Sequence, residues 1–249
     1  MSEVIESPMT AHVIAVQDDI VTIESSAPLM KNEVVYVRPS RLGEYERQER
    51  LKSEVLRVRG NQADVQVFES TVGVGIGDAV EQSGQMLSVE LGPGLLGQVY
   101  DGLQNPLEDI ALTHGIFLPR GVELPALEPR RKWSFVPQVQ TGARLCAGDV
   151  IGTVPEGAFS HKIMIPFDQV GEVEVVWIQE GNVTVDTQIA TLLDSHGHER
   201  PVTLKQRWPV RRPIPQQMLE QGLFERHYPR EPLVTTLRLL DTFFPIARG

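Results

Sequence analysis

The stretch VELGPGLLGQVYDG, Val89 to Gly102, places Gly92, Gly94 and Gly97 at the spacing G-x-G-x-x-G. Dinucleotide-binding turns share that spacing, so its reading decides between a doubly wound α/β chain and a mainly β one. A dinucleotide turn needs a strand before it, a helix opening at it and an acidic ribose partner further on. The strand is present: Leu87, Val89 and Leu91 alternate with Ser88 and Glu90. The helix is not, because Gly97 leads into Gln98-Val99-Tyr100, a β-like run that ends at the turn dipeptide Asp101-Gly102, with Pro106 soon after. A pyrophosphate would find no helix N-terminus here. The residues predict a strand–turn–strand in which Gly92, Gly94 and Gly97 allow positive φ and close backbone approach.

Toward the N-terminus the chain reads as short strands. His12–Val16 and Ile20–Ile23 flank Gln17-Asp18-Asp19, and Val55–Arg59 and Val65–Glu69 flank Gly60-Asn61, two hairpin signals; a further strand ends near Pro39. Closely spaced strands joined by turns predict a small barrel or sandwich. The charged run RLGEYERQERLK reads as a solvated connection, since acids and bases interleave. TVGVGIGD, residues 71–78, has no lysine of a phosphate loop, and no Gly-Lys pair occurs in the 249 residues, so it reads as a turn or linker closing the first module.

Toward the C-terminus, residues 111–190 are β-rich and proline-punctuated, and IMIPFDQVGEVEVVWIQEGNVTV alternates well through Val173, Val175 and Trp177. His196 and His198 could chelate a metal, but no further ligand cluster accompanies them, so Asp194–His198 reads as a polar hairpin turn, and the adjacent Ser195 and His196 cannot form a triad. Helix is expected at the end, where Thr235 could cap a segment carrying Leu239, Leu240, Phe243 and Phe244 before Pro245; Met218–Leu219 could add one turn.

The composition bounds these readings. Hydrophobic residues at 41% and charged residues at 22% are ordinary for a globular chain. A net charge of −10 argues against nucleic-acid binding by bulk charge. MSEVIESPMT is acidic and lacks the apolar core of a signal peptide, and no window approaches the roughly 18 apolar residues of a membrane span. A single cysteine, Cys146, excludes an internal disulfide and suits a reducing compartment. A nucleophile would need an activating cation, whereas the neighbour here is Asp149, so a buried structural cysteine is expected.

Several phrases, taken in order, resemble one family. LSVELGPGLLGQVYDGLQNPL, RRKWSFVPQVQTGARLCAGDVIGTVPE, HKIMIPFDQVGEV, RWPVRRP and EPLVTTLRLLDTFFPIARG are similar to the catalytic A subunits of V-type and archaeal-type rotary ATPases. The resemblance is collinear from about residue 65 onward; the earlier residues share its β-barrel character. It implies a mainly β fold with an incomplete α/β, RecA-like nucleotide-binding domain. The expected order is an N-terminal β-barrel (1–75), the start of the nucleotide-binding domain (76–111), an inserted β bulge domain (112–188) with Trp133, Phe135 and Trp177 in its core, and a return to the nucleotide-binding domain (189–249). Gly92, Gly94 and Gly97 become a structural turn.

The resemblance further implies B subunits of an alternating hexameric ring and stalk subunits as partners, no nucleic acid, and a cytoplasmic position that meets a membrane only through the rotary complex. The intact subunit would use Mg-ATP and move H⁺ or Na⁺. Departures exist: the family usually reads Ile-Thr-Gly-Gln-Arg-Val-Ile-Asp where this chain has Val234-Thr235-Thr236-Leu237-Arg238-Leu239-Leu240-Asp241, and QQMLEQGLFERHY is more irregular than usual. Gly249 precedes the family's phosphate loop, so no catalytic, cofactor or metal residue carries over, and the 249 residues are expected to be inactive alone. Two other readings stand beside this one. One is a stand-alone, non-catalytic assembly protein built from the same modules. The other is a biotinyl- or lipoyl-type carrier domain, for which Lys205 in TLKQ lacks the flanking residues such carriers use.

Overall fold

The computed structural model describes residues 11–40, 49–115, 117–214, 216 and 228–248. Residues up to Pro213 form one compact unit and those from Ile214 a second. The expectations for MSEVIESPMT, for most of RLGEYERQERLK and for nearly all of QQMLEQGLFERHY, Met218–Leu219 included, lie outside the described residues.

Six strands close into a barrel. They are β1 (Ala11–Gln17), β2 (Ile20–Ser25), β3 (Glu33–Arg38), β4 (Leu51–Arg59), β5 (Gln62–Val67) and β6 (Ala79–Met86), in the order β1-β2-β5-β4-β3-β6, with β6 returning to β1. The two hairpins arise where the turn chemistry allows a left-handed residue: Asp18 has φ 51° and Gly60 φ 65°. Alternation sends Val13, Val21, Ile23, Val35, Val37, Val55, Val65 and Val80 inward, all with no exposed surface. Glu33 is also buried; its carboxylate accepts the backbone N–H groups of Met30 at 3.2 Å and Gly84 at 2.9 Å. The barrel needs β6 for closure and so runs past residue 75 to Met86. The glycines of residues 71–78 form a turn inside the barrel, where Asp78 accepts the N–H of Gly75 at 2.8 Å, and not a boundary after it.

A second core lies between two four-stranded sheets. One has the order β11 (Phe159–Met164), β10 (Val150–Glu156), β8 (Trp133–Pro137), β13 (Gly181–Val183); the other has β15 (Glu199–Val202), β14 (Ala190–Leu193), β12 (Val173–Ile178), β9 (Arg144–Leu145). Trp133, Phe135, Ile151, Ile165, Val175, Ile189 and Leu192 fill the space between them. This sandwich therefore reaches Val202, beyond the expected limit at residue 188, because β14 and β15 belong to its second sheet.

Between the modules, β7 (Ser88–Leu91) pairs antiparallel with β16 (Gln206–Pro209), Leu91 opposite Gln206 and Val89 opposite Trp208. The expected strand after the glycines is absent, since Tyr100 makes only a single bridge to Pro106. A helix, α1 (Leu107–His114), stands where none was expected. Pro106 precedes it, Glu108 and Asp109 occupy its first turn, and Gly115, at φ 84°, ends it.

The unit from Ile214 contains the pair β17 (Pro232–Leu233) and β18 (Ile246–Ala247) and a short helix, α2 (Arg238–Phe243). Thr235 does not cap α2; the N-cap position is Leu237, without a side-chain bond. Asp241 instead accepts the Thr235 hydroxyl at 2.6 Å and the N–H groups of Thr235 and Thr236 at 3.0 Å, which hold its carboxyl below the usual range. Every strand pairing among the described residues is antiparallel, so the parallel sheet of a RecA-like domain is not among them.

Candidate functional site

The three glycines of the opening stretch meet three different demands. An added Cβ at Gly92 would lie 2.9 Å from Leu127 Cδ1 and 3.1 Å from the Leu204 carbonyl oxygen. Gly94, at φ 111°, lies against Trp133, and its N–H donates to Glu156 Oε1 at 2.5 Å. Gly97, at φ 80°, faces open space, so only its backbone conformation favours glycine. Glu156 is 7% exposed and also holds His161 Nδ1 at 2.7 Å, so one buried carboxylate fastens the glycine turn to the β10–β11 hairpin. No helix opens at this turn; α1 begins only at Leu107. The turn is a joint between β7 and the sandwich and lacks the anion-binding end a dinucleotide needs.

Trp133 and Phe135 lie in the sandwich core at 4% and 0% exposure, but Trp177 does not: it is 41% exposed. A bulge between Val175 and Trp177 shifts the register of β12 against β14, and a one-residue slip turns a side chain to the other face. The expectation that all three form the core is corrected on that ground. Cys146 is likewise exposed, in the loop between β9 and β10, where its N–H donates to Asp149 Oδ2 at 2.7 Å.

Charged groups join the barrel to the segments around the sandwich. Glu54 of β4 is 1% exposed and takes a two-pronged contact from Arg211, Nε at 2.9 Å and an Nη at 2.6 Å; this hydrogen bond and charge raise the Arg211 pKa. Arg120 bonds Glu49 and the Ser70 carbonyl, and the Gly121 N–H donates to Glu69 at 2.9 Å. Lys52 reaches Glu123 at 2.7 Å, and the Tyr36 hydroxyl donates to the same carboxylate at 3.2 Å. Burial would raise the Glu123 pKa, but Lys52 and then Tyr36 and Arg50 outweigh it and leave it lowered. Burial dominates at Glu69, raising its pKa despite the Gly121 bond, and at Tyr36, where Glu123 adds to the rise. Sequence reasoning missed these partners, because Glu54 and Arg211 sit far apart in the chain and neither belongs to a local motif.

The remaining candidates are local structure. Asp194 accepts the N–H groups of His198 and His196 at 2.9 and 2.8 Å, which lower its pKa and close the turn around Gly197. Among the described residues no three His, Cys, Asp or Glu side chains gather as metal ligands. Lys205 is held by Asp186 at 2.7 Å and Glu90 at 3.5 Å and does not project as a carrier lysine would.

Two family models match. Residues 13–84 fit the beta-barrel domain of the ATP synthase alpha/beta family, and residues 124–211 fit the barrel-sandwich domain of the ATP synthase alpha/beta subunit. The chain is 49% identical over 238 residues to the V-type ATP synthase alpha chain 1 of Treponema pallidum and 46% identical to the V-type ATP synthase alpha chain of Treponema denticola. Each match covers 95% of this chain and 38% of the relative. The V-type ATP synthase alpha chain of Borreliella burgdorferi follows at 43% identity, with 95% of this chain and 39% of the relative covered. The chain thus spans well under half the length of the relatives it matches. No helix among the described residues is long and apolar enough to cross a membrane. With the barrel, the sandwich and these collinear identities in agreement, the chain belongs to the family of V-type ATP synthase alpha chains and corresponds to an N-terminal portion of it.

Proposed function

We propose that this chain supplies ring-assembly and stalk-facing surfaces of the A subunit of a V- or archaeal-type rotary ATPase. The match across 95% of its length to V-type ATP synthase alpha chains carries this reading. The intact subunit would hydrolyse or make Mg-ATP in a hexameric ring alternating with B subunits, coupled through stalk subunits to H⁺ or Na⁺ movement. In that assembly α1 and the unit from Ile214 are the first pieces of a nucleotide-binding domain. A closed barrel has no free strand edge and must meet neighbours through side chains and turns. Val72 and Ile76, 71% and 70% exposed, project from a turn whose backbone is held by Arg120, Asp78 and Val13. They are the proposed contacts with the next barrel.

Phosphoryl transfer needs a phosphate cradle, a lysine and a Mg²⁺-binding hydroxyl. The 249 residues hold no Gly-Lys pair to start such a cradle, so these residues contribute assembly and not chemistry. Mixing the chain with a B subunit of the same family and measuring mass by sedimentation tests the reading. A stoichiometric complex, weakened by Val72→Asp/Ile76→Asp, is expected; separate species would overturn it. Titration with Mg-ATP by calorimetry should show no saturable micromolar site.

A further inference from the structure

A groove of about 580 Å³ on the sandwich is lined by the edge strands of both its sheets. β11 ends one sheet and β15 ends the other, and residues of both line the groove together with Leu91 and Leu95. Its floor is apolar, with Ile163, Val202 and Leu204 buried beneath it.

The two edges differ. β15 carries Pro201, which has no N–H to offer an incoming strand. β11 carries no proline. Its Ser160 lies opposite Pro155 of β10, which lacks an N–H, so that pair exchanges no backbone bond. In an antiparallel ladder such a residue turns its own N–H and C=O away from its partner, and by alternation Lys162 does the same. β11 thus presents donors and acceptors at spacing two along the free edge, the template that an added strand requires.

The charge is also specific. In a chain of net −10, the groove is lined by Lys162, Arg200, Lys205 and Arg207 against the single carboxylate of Asp168. Arg200 pairs with Asp168, and Lys205 and Arg207 pair with Asp186 and Glu90, which lie outside the groove. Lys162 is exposed, and none of the ion pairs among the described residues includes it. We infer that this groove receives an extended protein segment that adds as a strand to the free edge of β11, setting apolar side chains on the Ile163–Val202–Leu204 floor and acidic ones toward Lys162. This goes beyond the ring-assembly reading and does not depend on it.

The test uses the 249-residue chain and an end-blocked, fluorescein-labelled octapeptide of alternating Val and Glu, followed by fluorescence anisotropy. Saturable binding is expected, with slowed hydrogen exchange at the Ser160 and Lys162 amides. Lys162→Glu and Ser160→Pro should each weaken binding by about tenfold or more, through charge and through loss of an edge donor respectively. Both are edge positions, and the thermal midpoint of each variant serves as the folding control. No saturation up to about 1 mM, equal affinity for a Val–Lys octapeptide, or unchanged affinity in both variants overturns the inference. A dimer of the chain alone that Ser160→Pro dissolves would also overturn it, by making a second copy the occupant.

Discussion

The barrel and the sandwich solve the same problem in opposite ways. The barrel closes its sheet on itself and fills the interior with short aliphatic side chains, chiefly valine. The sandwich leaves its sheets open and spans the gap between them with Trp133 and Phe135 as well as aliphatics. A closed small barrel has little room inside, so Val suffices; two stacked sheets stand about 10 Å apart and need larger groups. The price of openness is free edges, which the sandwich blunts at β15 with Pro201 and leaves without a paired strand at β11 among the described residues. The difference teaches that the two cores are separate clusters and that much of the link between the modules is made by charged groups.

The largest expected effect breaks one core and spares the other. Phe135→Ala should cost about 3–5 kcal/mol and lower a sandwich transition in calorimetry, while the barrel transition moves less. Leu51→Ala, from the barrel interior, should do the reverse. If both variants displace one common transition equally, the two cores are a single cooperative unit.

Next come the glycines of the joint. Gly92→Ala pushes a methyl group against Leu127 and the Leu204 backbone and should cost about 1–3 kcal/mol. Gly97→Val has space but the wrong backbone conformation and should cost about 1–2 kcal/mol. An unchanged urea midpoint for Gly92→Ala would remove close packing as the reason for that glycine.

Smaller effects sharpen the charged link through pH. Glu123 has a lowered pKa, so its stabilisation is present above the ordinary glutamate range and is lost as pH falls through the folded value. Glu69 has a raised pKa, so its contribution is full below the ordinary range and is lost as pH rises through the folded value. At neutral pH Glu123→Gln should lower the thermal midpoint and Glu69→Gln should raise it; as pH falls the Glu69 difference should close on reaching the ordinary glutamate range, and the Glu123 difference only below that range. The same sign for both would refute the assigned causes. The smallest effect belongs to Trp133→Phe. The indole N–H is buried without a partner among the described residues, so the variant loses volume but no hydrogen bond and should cost under about 1.5 kcal/mol.

Much of the barrel was legible because its hairpins are local: Asp18-Asp19 and Gly60-Asn61 announce their turns. Its closing strand was not, since the glycines of residues 71–78 read as a boundary until Asp78 is seen to tie them to the barrel. Trp177 fits the alternation of Val173 and Val175, and only the bulge in its pairing with β14 turns it outward. α1 carries its stop and start signals in Pro106, Glu108, Asp109 and Gly115, but one short helix with a single buried residue, Ile110, leaves almost no periodic trace. The joint was least legible, because Glu54–Arg211 and Glu156–Gly94 link distant residues that no local pattern connects.

The pairing of β7 with β16 has a kinetic consequence. Val89 and Trp208 face each other across a ladder whose two strands are separated in sequence by the entire sandwich. For an unfolded chain, closing so long a loop is entropically unfavourable and slow. Once the sandwich has formed on its own core, its two ends are already near each other and the ladder need only zip. β16 is therefore expected to pair late in folding, and on a newly made chain β7 must wait for this partner until residue 209 has emerged.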